Sequence, residues 1–579
     1  MIEMNADASK PAPDLTARNG KAHVVGDTGP ELWRRTIPAV FKETVAAFGG
    51  RDAAVFREQG VRWTWAELDR QVDALAAGLL DLGLEKGDRI GIWAPNRYEW
   101  LLTQFATARI GLVMVNINPA YRLSELEYAL NKVGCKALIT AAQFKSSDYL
   151  GMVRTLAPEL DGAAPGQLQA KKLPHLKTVI RMGAETSPGM FNFDEVVARG
   201  RNTPQADLEP MTAALDPDDP INIQFTSGTT GAPKGATLTH INILNNGRFV
   251  TRAMNFTEND RLCIPVPLYH CFGMVMGTLG CVTKGAAMIF PAEAFEPEST
   301  LRAVSEEKCT ALYGVPTMFV AELQHPDLKS FDLSQLRTGI MAGAPCPTEV
   351  MKRCVSEMNL SEVTIAYGMT ETSPVSFQSA VDDPLERRVS TVGRIQPHVE
   401  CKVIDENGET VAPGVQGELC TRGYSVMKGY WDEPERTAEA IDADGWMHTG
   451  DLATIDAEGY CNITGRVKDM LIRGGENVYP REIEEYLYRH PEISDVQVFG
   501  VPDAKYGEEI CAWVVKKPGS DLDEQAVKDF CQGQIAHYKI PRHVRFRDEL
   551  PMTVTGKPQK FRMREAMVAE LGLTEEKTA

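Results

Sequence analysis

The chain has 579 residues, more than the roughly 250 to 300 at which a single hydrophobic core stops growing, so more than one domain is expected. Its composition, 43% hydrophobic and 24% charged, is that of a globular protein and excludes disorder over most of the chain. The net charge of −18 disfavours nucleic acid as a partner, and it means that an anionic ligand must meet a local positive site.

Residues 1–30 are polar and contain no apolar core, so we predict a disordered tail and neither a signal peptide nor a membrane anchor. The most apolar stretch, Cys271 to Thr283, is too short to cross a bilayer. The twelve cysteines show no C-x-x-C pair, which indicates reduced, buried thiols. We therefore predict a cytoplasmic protein without stable membrane insertion, and the sequence leaves a homodimer open.

Within residues 31–467, the chain alternates helix-like and strand-like segments from about Arg51, a pattern typical of α/β sheets flanked by helices. Thr64 and Glu67 form a capping box, and the apolar residues after them recur at helical spacing until Gly83. Short apolar runs at 89–93, 112–115 and 137–140 predict strands. We predict that this region is a large N-terminal α/β domain.

The pattern changes near Lys468 to a compact α+β arrangement. Pro480 suits the first turn of a helix, residues 496–501 and 510–517 predict strands, and residues 524–535 predict a second helix. We predict a separate small domain at 468–579, which is long enough to fold as a unit.

A strand-like segment at 221–225 runs directly into a loop rich in glycine and hydroxyl groups. Its glycines let backbone N–H groups point at an anion, its hydroxyls add donors, and its lysine adds positive charge, as a polyphosphate requires. A Walker A loop is disfavoured because its spacing is absent. An ordinary Ser/Thr/Gly-rich turn is the alternative, although ten specified positions after a strand argue against it. The residues concerned are Thr226, Ser227, Gly228, Thr229, Thr230, Gly231 and Lys234.

This loop resembles the phosphate-binding signature of the adenylate-forming superfamily, which includes acyl-CoA synthetases, beetle luciferases and the adenylation domains of nonribosomal peptide synthetases. The resemblance continues in family order from about Trp63 to Arg564. It implies a large N-terminal domain with a small, mobile C-terminal domain. It also implies ATP, CoA and a small carboxylic acid as substrates, with Mg²⁺ as cofactor.

Two further segments resemble those that enclose adenine and the metal in this superfamily. Tyr367 offers a ring face for stacking, small residues let the base lie close to the backbone, and Glu371 offers a hard oxygen to Mg²⁺. A helix-capping Thr-Glu pair is the alternative for part of this motif. The segments contain Gly343 and Ala344, and Tyr367, Gly368, Met369, Thr370 and Glu371.

The stretch from Pro267 to Gly273 resembles the motif that borders the carboxylate pocket. The resemblance implies that His270 donates to a substrate oxygen, although a lone histidine is more often structural. Phe272, Gly273 and Val315 could line an adaptable acyl channel, and core packing explains the same residues equally well.

Asp451 and Arg466 resemble the ribose-binding pair, in which a carboxylate accepts from both ribose hydroxyls. Lys468 matches the hinge of the superfamily. The glycine-rich segment after it, with Arg473, Gly474 and Gly475, would by resemblance border the pantetheine tunnel of CoA. An ordinary turn is the alternative for the Gly-Asp pair that contains Asp451 and for the glycine-rich segment after Lys468.

The loop around Lys557 resembles the one that bears the catalytic lysine of the superfamily. A mobile ammonium there would stabilise the negative charge of the transition state. The sequence departs from the family pattern at Pro558, which puts the path of the lysine in doubt. Eight basic residues lie between Lys539 and Arg564, and we weigh two interpretations of them equally: attraction of the phosphates of CoA and ATP, or a solvated face with ion pairs.

These motifs predict an AMP-forming acyl-CoA synthetase, an acid–thiol ligase. The residue sequence of the segment from Arg473 to Pro480 most resembles that of medium-chain fatty acyl-CoA synthetases. A stand-alone adenylation enzyme that loads a carrier protein, a luciferase-type oxygenase and an inactive nucleotide- or acyl-binding module are the alternatives.

Overall fold

The computed structural model describes residues 13–201, 208–226, 233–344, 346–466, 469–473, 476–503, 506–532, 534–535, 537–553 and 556–573. The α-helices within these ranges are α1 (Ile37–Phe48), α2 (Trp65–Asp81), α3 (Tyr98–Ile110), α4 (Leu123–Lys132), α5 (Tyr149–Leu156), α6 (Phe193–Arg201), α7 (Leu208–Ala213), α8 (His240–Ala253), α9 (Gly280–Lys284), α10 (Pro297–Glu306), α11 (Pro316–Leu323), α12 (Thr348–Glu357), α13 (Leu385–Ser390), α14 (Pro434–Ala440), α15 (Pro480–Leu487), α16 (Glu524–Cys531) and α17 (Lys560–Leu571).

Within the same ranges, the strands form four principal sheets and one two-stranded ribbon. In chain order they are β1 (His23–Val25), β2 (Asp52–Phe56), β3 (Val61–Thr64), β4 (Arg89–Trp93), β5 (Val113–Asn116), β6 (Ala137–Thr140), β7 (Gln143–Phe144), β8 (Ser147–Asp148), β9 (Thr178–Arg181), β10 (Phe191–Asn192), β11 (Pro220–Thr226), β12 (Lys234–Thr239), β13 (Arg261–Cys263), β14 (Ala287–Phe290), β15 (Ala311–Gly314), β16 (Thr338–Ala342), β17 (Glu362–Gly368), β18 (Val375–Gln378), β19 (Arg394–Ile395), β20 (Val399–Ile404), β21 (Gly417–Gly423), β22 (Gly429–Tyr430), β23 (Met447–Ile455), β24 (Cys461–Arg466), β25 (Leu471–Arg473), β26 (Glu476–Val478), β27 (Ile493–Asp503), β28 (Gly507–Lys516) and β29 (His543–Phe546).

Two of the sheets are mainly parallel and carry helices, as the sequence predicts for the large domain. One has the order β10-β9-β6-β4-β5-β11-β12-β22 and the other β19-β18-β17-β16-β15-β13-β14-β2-β3. Their central strands, such as β6 and β16, are buried along their whole length, so apart from one terminal threonine each these strands are apolar on both faces rather than alternating. The predicted capping box is confirmed: Thr64 and Glu67 bond each other's backbone at the start of α2.

The third sheet is antiparallel, with the order β1-β20-β21-β23-β24. Its first strand corrects the prediction of a disordered tail at 1–30. Residues 23–25 pair with β20, and His23 lies 2.6 Å from Glu400, a partner 377 residues away in the chain. Residues 1–12 lie outside the described residues. The disorder prediction is therefore wrong for the part of the tail that pairs with the sheet.

The small domain is built on the fourth sheet, β26-β25-β28-β27, with β29 beside β28. Alternate residues of its long strands face opposite sides, which gives it two cores. Val496 and Val498 pack with α15 and α16, whereas Phe499 and Val501 pack with Met563 of α17. The predicted boundary at 467 and 468 falls outside the described residues and stays a prediction.

The predicted state of the thiols is confirmed, because all twelve cysteines are unpaired and buried. Among the helices in the described ranges, none combines the length and the apolar character needed to cross a membrane.

Candidate active site

Thr226, Gly343 and Gly368 of the predicted ATP site lie at the carboxyl ends of β11, β16 and β17, which have parallel neighbours, and this is the usual place for a ligand in an α/β sheet. Thr226 ends β11 and Lys234 begins β12 directly opposite it, so the predicted phosphate loop joins two paired strands. Its residues Ser227, Gly228, Thr229, Thr230 and Gly231 lie outside the described residues. The flanking strands nevertheless bring both ends of the loop to the same edge as Glu371.

Glu371 is buried, and one of its carboxylate oxygens is held by two hydroxyl groups. Thr226 Oγ1 donates to Oε1 at 3.1 Å, and the Tyr430 hydroxyl donates to the same atom at 3.0 Å. The Lys234 ammonium lies 4.8 Å from the centre of the Tyr430 ring. A carboxylate fixed in this way, beside a phosphate loop, has the hard oxygen donors that suit Mg²⁺. These residues fit the implied metal.

Asp451 is oriented through both of its carboxylate oxygens. The Tyr367 hydroxyl donates to Oδ2 at 2.7 Å, and Arg466 Nε lies 3.1 Å from Oδ1. Arg466 stands opposite Asp451 in the β23–β24 pair. Burial and the charge of Asp451 raise the pKa of Tyr367, so its hydroxyl remains a donor. The carboxylate is thus prepared to accept hydrogen bonds from a sugar.

The small residues of the predicted adenine pocket lie at the ends of β16 and β17. Gly343 has φ +88°, a conformation that glycine adopts readily, and Ala344 follows it. Packing alone requires glycine at Gly368, because an added Cβ would lie 1.7 Å from the Pro374 carbonyl oxygen. Met369 and Thr370 continue from Gly368 towards Glu371. Contact of these residues with a base stays a prediction.

His270 lies just before a π-helix, Phe272–Leu279, a rare form that is frequent at functional sites. The backbone N–H of Phe272 donates to His270 Nδ1 at 3.2 Å. Burial, with a smaller contribution from Lys557, lowers the pKa of His270 to about 3. The ring is therefore neutral near pH 7, and Nε2 carries the proton. His270 can donate to a substrate oxygen from Nε2, as predicted from the motif.

The three residues of the predicted acyl pocket have different surroundings. Phe272 is buried against Tyr313, with ring centres 5.3 Å apart. At Gly273 an added Cβ would lie 2.5 Å from the Pro267 carbonyl oxygen, so glycine is required by the turn whether or not a ligand binds. Val315 contacts the Lys557 loop, as described below. A role for all three in binding an acyl chain stays a prediction.

Lys557 closes a tight turn of the small domain. Thr553 N–H donates to the Lys557 carbonyl at 2.8 Å, and Lys557 N–H donates to Thr553 Oγ1 at 2.9 Å. Pro558 forms an antiparallel bridge with Met552. The turn is closed by these groups, so the missing N–H of Pro558 is accommodated.

The Lys557 side chain extends into the site formed by the large domain. Burial and the nearby Arg466 lower the pKa of Lys557, while the charges of Asp451 and Glu371 oppose that shift. Its Cε lies 4.0 Å from where a Cβ of Gly343 would stand. The structure thus brings the predicted catalytic, ribose and metal residues together around one chamber.

The contact between the domains is close beside this turn. Gly556 has φ +74°, and an added Cβ would lie 2.8 Å from Val315 Cγ2. Arg481 of α15 donates to the carbonyl of Ile463 in β24. A cavity of about 30 Å³ separates the domains here, lined by Pro316, Thr317, Ala344, Pro347, Arg481, Glu484, Glu485, Tyr488, Asp495, Gln497, Met552, Gly556 and Pro558.

Of the predicted CoA residues, only Arg473 is among the described residues. Arg473 forms a two-point ion pair with Glu509 at 2.5 and 2.9 Å. Gly474, Gly475 and the predicted hinge residue Lys468 lie outside the described residues. Among the eight basic residues near the C-terminus, six contact carboxylates, which favours the ion-paired face over a phosphate-attracting patch: Lys539, Arg542, Arg545, Arg547, Lys560 and Arg564.

Sequence reasoning missed two polar residues of the site. Tyr430 holds Glu371, and Thr449 Oγ1 accepts the N–H of Asp451 at 3.1 Å. The only sequence signals were a tyrosine in a Gly-Tyr-Trp turn and a threonine beside a Gly-Asp pair.

The family of AMP-binding enzymes matches residues 41–431 of the chain, and the C-terminal domain of AMP-binding enzymes matches residues 482–557. The chain is a member of the AMP-binding enzyme family. The predicted superfamily is therefore confirmed.

Relatives match almost the whole chain. YngI of Bacillus subtilis, whose name describes it as a candidate acyl-CoA synthetase, is 50% identical over 94% of this chain and 99% of its own length. The human mitochondrial medium-chain acyl-CoA ligase ACSF2 is 45% identical over 96% of this chain and 92% of its own. Among solved structures, ATP-bound MatB from Rhodopseudomonas palustris is 30% identical, covers 91% and 98% of the two chains and superposes with a TM-score of 0.79. The predicted fold class is confirmed.

Proposed function

We propose that this AMP-binding enzyme is an AMP-forming acyl-CoA synthetase that acts on a medium-chain fatty acid. The observation that carries the proposal is the entry of Lys557, from the small domain, into the chamber that contains Asp451 and Glu371. Relatives named as CoA ligases over almost the whole chain favour this activity over a carrier-loading enzyme, an oxygenase or an inactive binding module.

In the first step, a carboxylate oxygen of the acid attacks the α-phosphorus of ATP. The bond between that phosphorus and the bridging oxygen breaks, and pyrophosphate leaves with the electron pair. Lys557 offsets repulsion between the two anions, and Lys234 with the loop before it holds the phosphates. Asp451 receives the ribose hydroxyls, and His270 donates from Nε2 to the acid.

Mg²⁺ would be held by Glu371, whose Oε1 is already fixed by Thr226 and Tyr430. When bound, the ion neutralises part of the polyphosphate charge. The residues of this chain supply orientation: the carboxylate is buried and cannot turn away from the phosphate loop without losing both hydrogen bonds.

In the second step, the thiol of CoA loses its proton and the sulfur attacks the acyl carbon, while AMP leaves with the electron pair of the broken C–O bond. We propose that rotation near Lys468 withdraws Lys557 and brings Arg473, Gly474 and Gly475 towards CoA. Arg473 would then exchange its pairing with Glu509 for contacts with CoA.

We also place the enzyme in the cytoplasm, as predicted from the sequence. The bacterial relative fits that location, whereas the human relative carries a mitochondrial name. The homodimer left open by the sequence stays open.

The test measures adenylate formation and thioester formation separately in the Lys557→Ala variant. We expect carboxylate-dependent pyrophosphate release to fall at least about 100-fold, because one cationic group is lost at the reacting phosphate. Thioester formation from supplied acyl-AMP should keep its rate. Lys517→Ala, which removes an exposed lysine of the same domain, is the matched control.

Equal loss of both half-reactions in Lys557→Ala would contradict the two-conformation mechanism. The wild-type enzyme is assayed in parallel with straight-chain acids of increasing length. A maximum at short or long acids would overturn the medium-chain assignment, and no AMP formation with any acid would overturn the ligase activity itself.

A further inference from the structure

A second group of metal-ligand side chains lies in the antiparallel sheet, apart from Glu371. Cys420 of β21 stands directly opposite His448 of β23, and Glu418 lies two residues before Cys420 on the same strand. Residues two apart on a strand share a face. The pairing of the two strands therefore brings a thiol, an imidazole and a carboxylate together.

The donor atoms are spaced as a tetrahedral cation requires. His448 Nδ1 lies 3.1 Å from Glu418 Oε2 and 3.7 Å from Cys420 Sγ, and all three atoms lie within 4.8 Å of one another. Tetrahedral bonds of Zn²⁺ to sulfur, nitrogen and oxygen place the sulfur and nitrogen about 3.6 Å apart and the nitrogen and oxygen about 3.3 Å apart. Small side-chain rotations would suffice to complete the site.

Groups around the three donors match the support that metal ligands usually receive. Ligating carboxylates and imidazoles are commonly held through their other polar atom. Glu418 Oε1 accepts the backbone N–H of Gly450 at 3.1 Å, which leaves Oε2 turned towards the histidine. His448 Nε2 lies 3.9 Å from Asp442 Oδ2, so a carboxylate is near the ring nitrogen that would not bind the ion.

The donor set decides the class of cation. Thiolate and imidazole favour Zn²⁺ and similar ions over Mg²⁺ and Ca²⁺, which prefer oxygen. Cys420 is buried beside Ile404 and Trp446, whereas the side chains of His448 and Glu418 are 35% and 27% exposed. An ion can therefore reach the donors from solvent, and water can supply the fourth ligand.

We propose that Glu418, Cys420 and His448 form a binding site for a Zn²⁺-class cation, separate from the Mg²⁺ site at Glu371. The site is joined to the ribose segment, because Glu418 holds Gly450 and the next residue is Asp451. An ion bound here would fasten the turn that carries Asp451 to the neighbouring strand.

The test titrates metal-free, full-length enzyme, without ATP, with Co²⁺ as a coloured substitute for Zn²⁺. We expect a stoichiometric near-ultraviolet band from thiolate-to-cobalt charge transfer, which Zn²⁺ abolishes. Cys420→Ser should remove the band. Cys401→Ser, which removes a buried thiol of the adjacent strand β20, should keep it. Zn²⁺ should raise the melting temperature of the wild type and of Cys401→Ser, but not that of Cys420→Ser.

A second variant guards against misfolding of Cys420→Ser. Asp442→Asn keeps all three donors and should weaken Co²⁺ binding by about 10-fold, since it removes the charge near His448 Nε2 while its amide oxygen can still accept the N–H groups of Asp444 and Trp446. Absence of the band in the wild type, or its persistence in Cys420→Ser, would overturn the proposal. The readouts need no substrate, so failure of the ligase assay would leave this result unaffected.

Discussion

Glu371 and Asp451 are each held by two side chains of the large domain, whereas Lys557 reaches the same chamber on a turn of the small domain. That turn is closed by its own backbone and by Thr553, and Gly556 lies against Val315 of the large domain. Glu371 and Asp451, with the side chains that hold them, therefore form a prepared half of the site. The turn that carries Lys557 forms a delivered half, which reaches the site only when the small domain lies in this position. Variants should affect the two halves differently.

Within the prepared half, the largest effect is expected at Glu371, because its carboxylate would hold the metal ion. Glu371→Gln should lower pyrophosphate release about 100-fold and raise the Mg²⁺ concentration needed for half-maximal rate. The measurement is initial rate against Mg²⁺. Tyr430→Phe, which removes one of the two donors and keeps the carboxylate, should cost no more than about 10-fold. An unchanged Mg²⁺ dependence in Glu371→Gln would show that this residue does not hold the ion.

The next largest effect is expected at Asp451, the carboxylate predicted to bind the ribose. Tyr367→Phe removes a hydrogen bond to a charged group, so KM for ATP should rise about 10-fold with a smaller change in kcat. Tyr460→Phe is the matched control, since Tyr460 donates to Asp383 in a pair that contains none of the site residues. If both variants raise KM equally, the hydroxyl of Tyr367 has no special part in placing Asp451.

A comparable or smaller effect should follow from blocking the delivered half. Gly556→Ala adds a methyl group 2.8 Å from Val315 Cγ2 and strains a residue at positive φ. Overpacking of this kind costs about 1–3 kcal/mol, and the added methyl group meets Val315 only while the small domain is docked, so pyrophosphate release should fall about 10-fold while thioester formation from acyl-AMP is retained. Gly572→Ala has a similar φ of +62° with nothing within 4 Å of its Cβ, and it should leave both half-reactions intact. Equal loss in the two variants would point to strain in the small domain rather than to blocked docking.

The smallest change concerns pH. Burial and Arg466 lower the pKa of Lys557, so its ammonium loses its proton at lower pH than an ordinary lysine. The kcat/KM of adenylate formation, which reports the free enzyme, should therefore fall as pH rises through this lowered pKa. In Lys557→Arg the remaining activity should hold to higher pH, because guanidinium stays charged. The same alkaline limit in both proteins would assign it to another group.

Local patterns in the sequence predicted those parts of the structure whose partners are close in the chain. The capping box at Thr64 and Glu67 and the strand before Thr226 are examples. Contacts across the fold were not predictable from the residues alone. Tyr430 and Thr226 reach Glu371 from 59 and 145 residues away, so only the folded sheets bring them together.

The resemblance to known enzymes supplied most of the candidate site, and the structure changed the interpretation of particular residues. Gly273 and Gly368 are required by adjacent backbone, a reason that no local pattern reveals. The error at 23–25 has a similar origin, since β1 is only three residues long, shows no recognisable strand pattern of its own, and pairs with the distant strand β20.

In the described part of the small domain, most cationic side chains face carboxylates, and this has a kinetic consequence. A polyanion such as CoA experiences little long-range attraction from charges that already face carboxylates. Capture must then depend on short-range contacts, and Arg473 is engaged with Glu509 while Lys557 occupies the chamber. We therefore expect an ordered sequence of substrate addition, in which CoA binds after pyrophosphate has left, with an encounter rate that responds little to ionic strength.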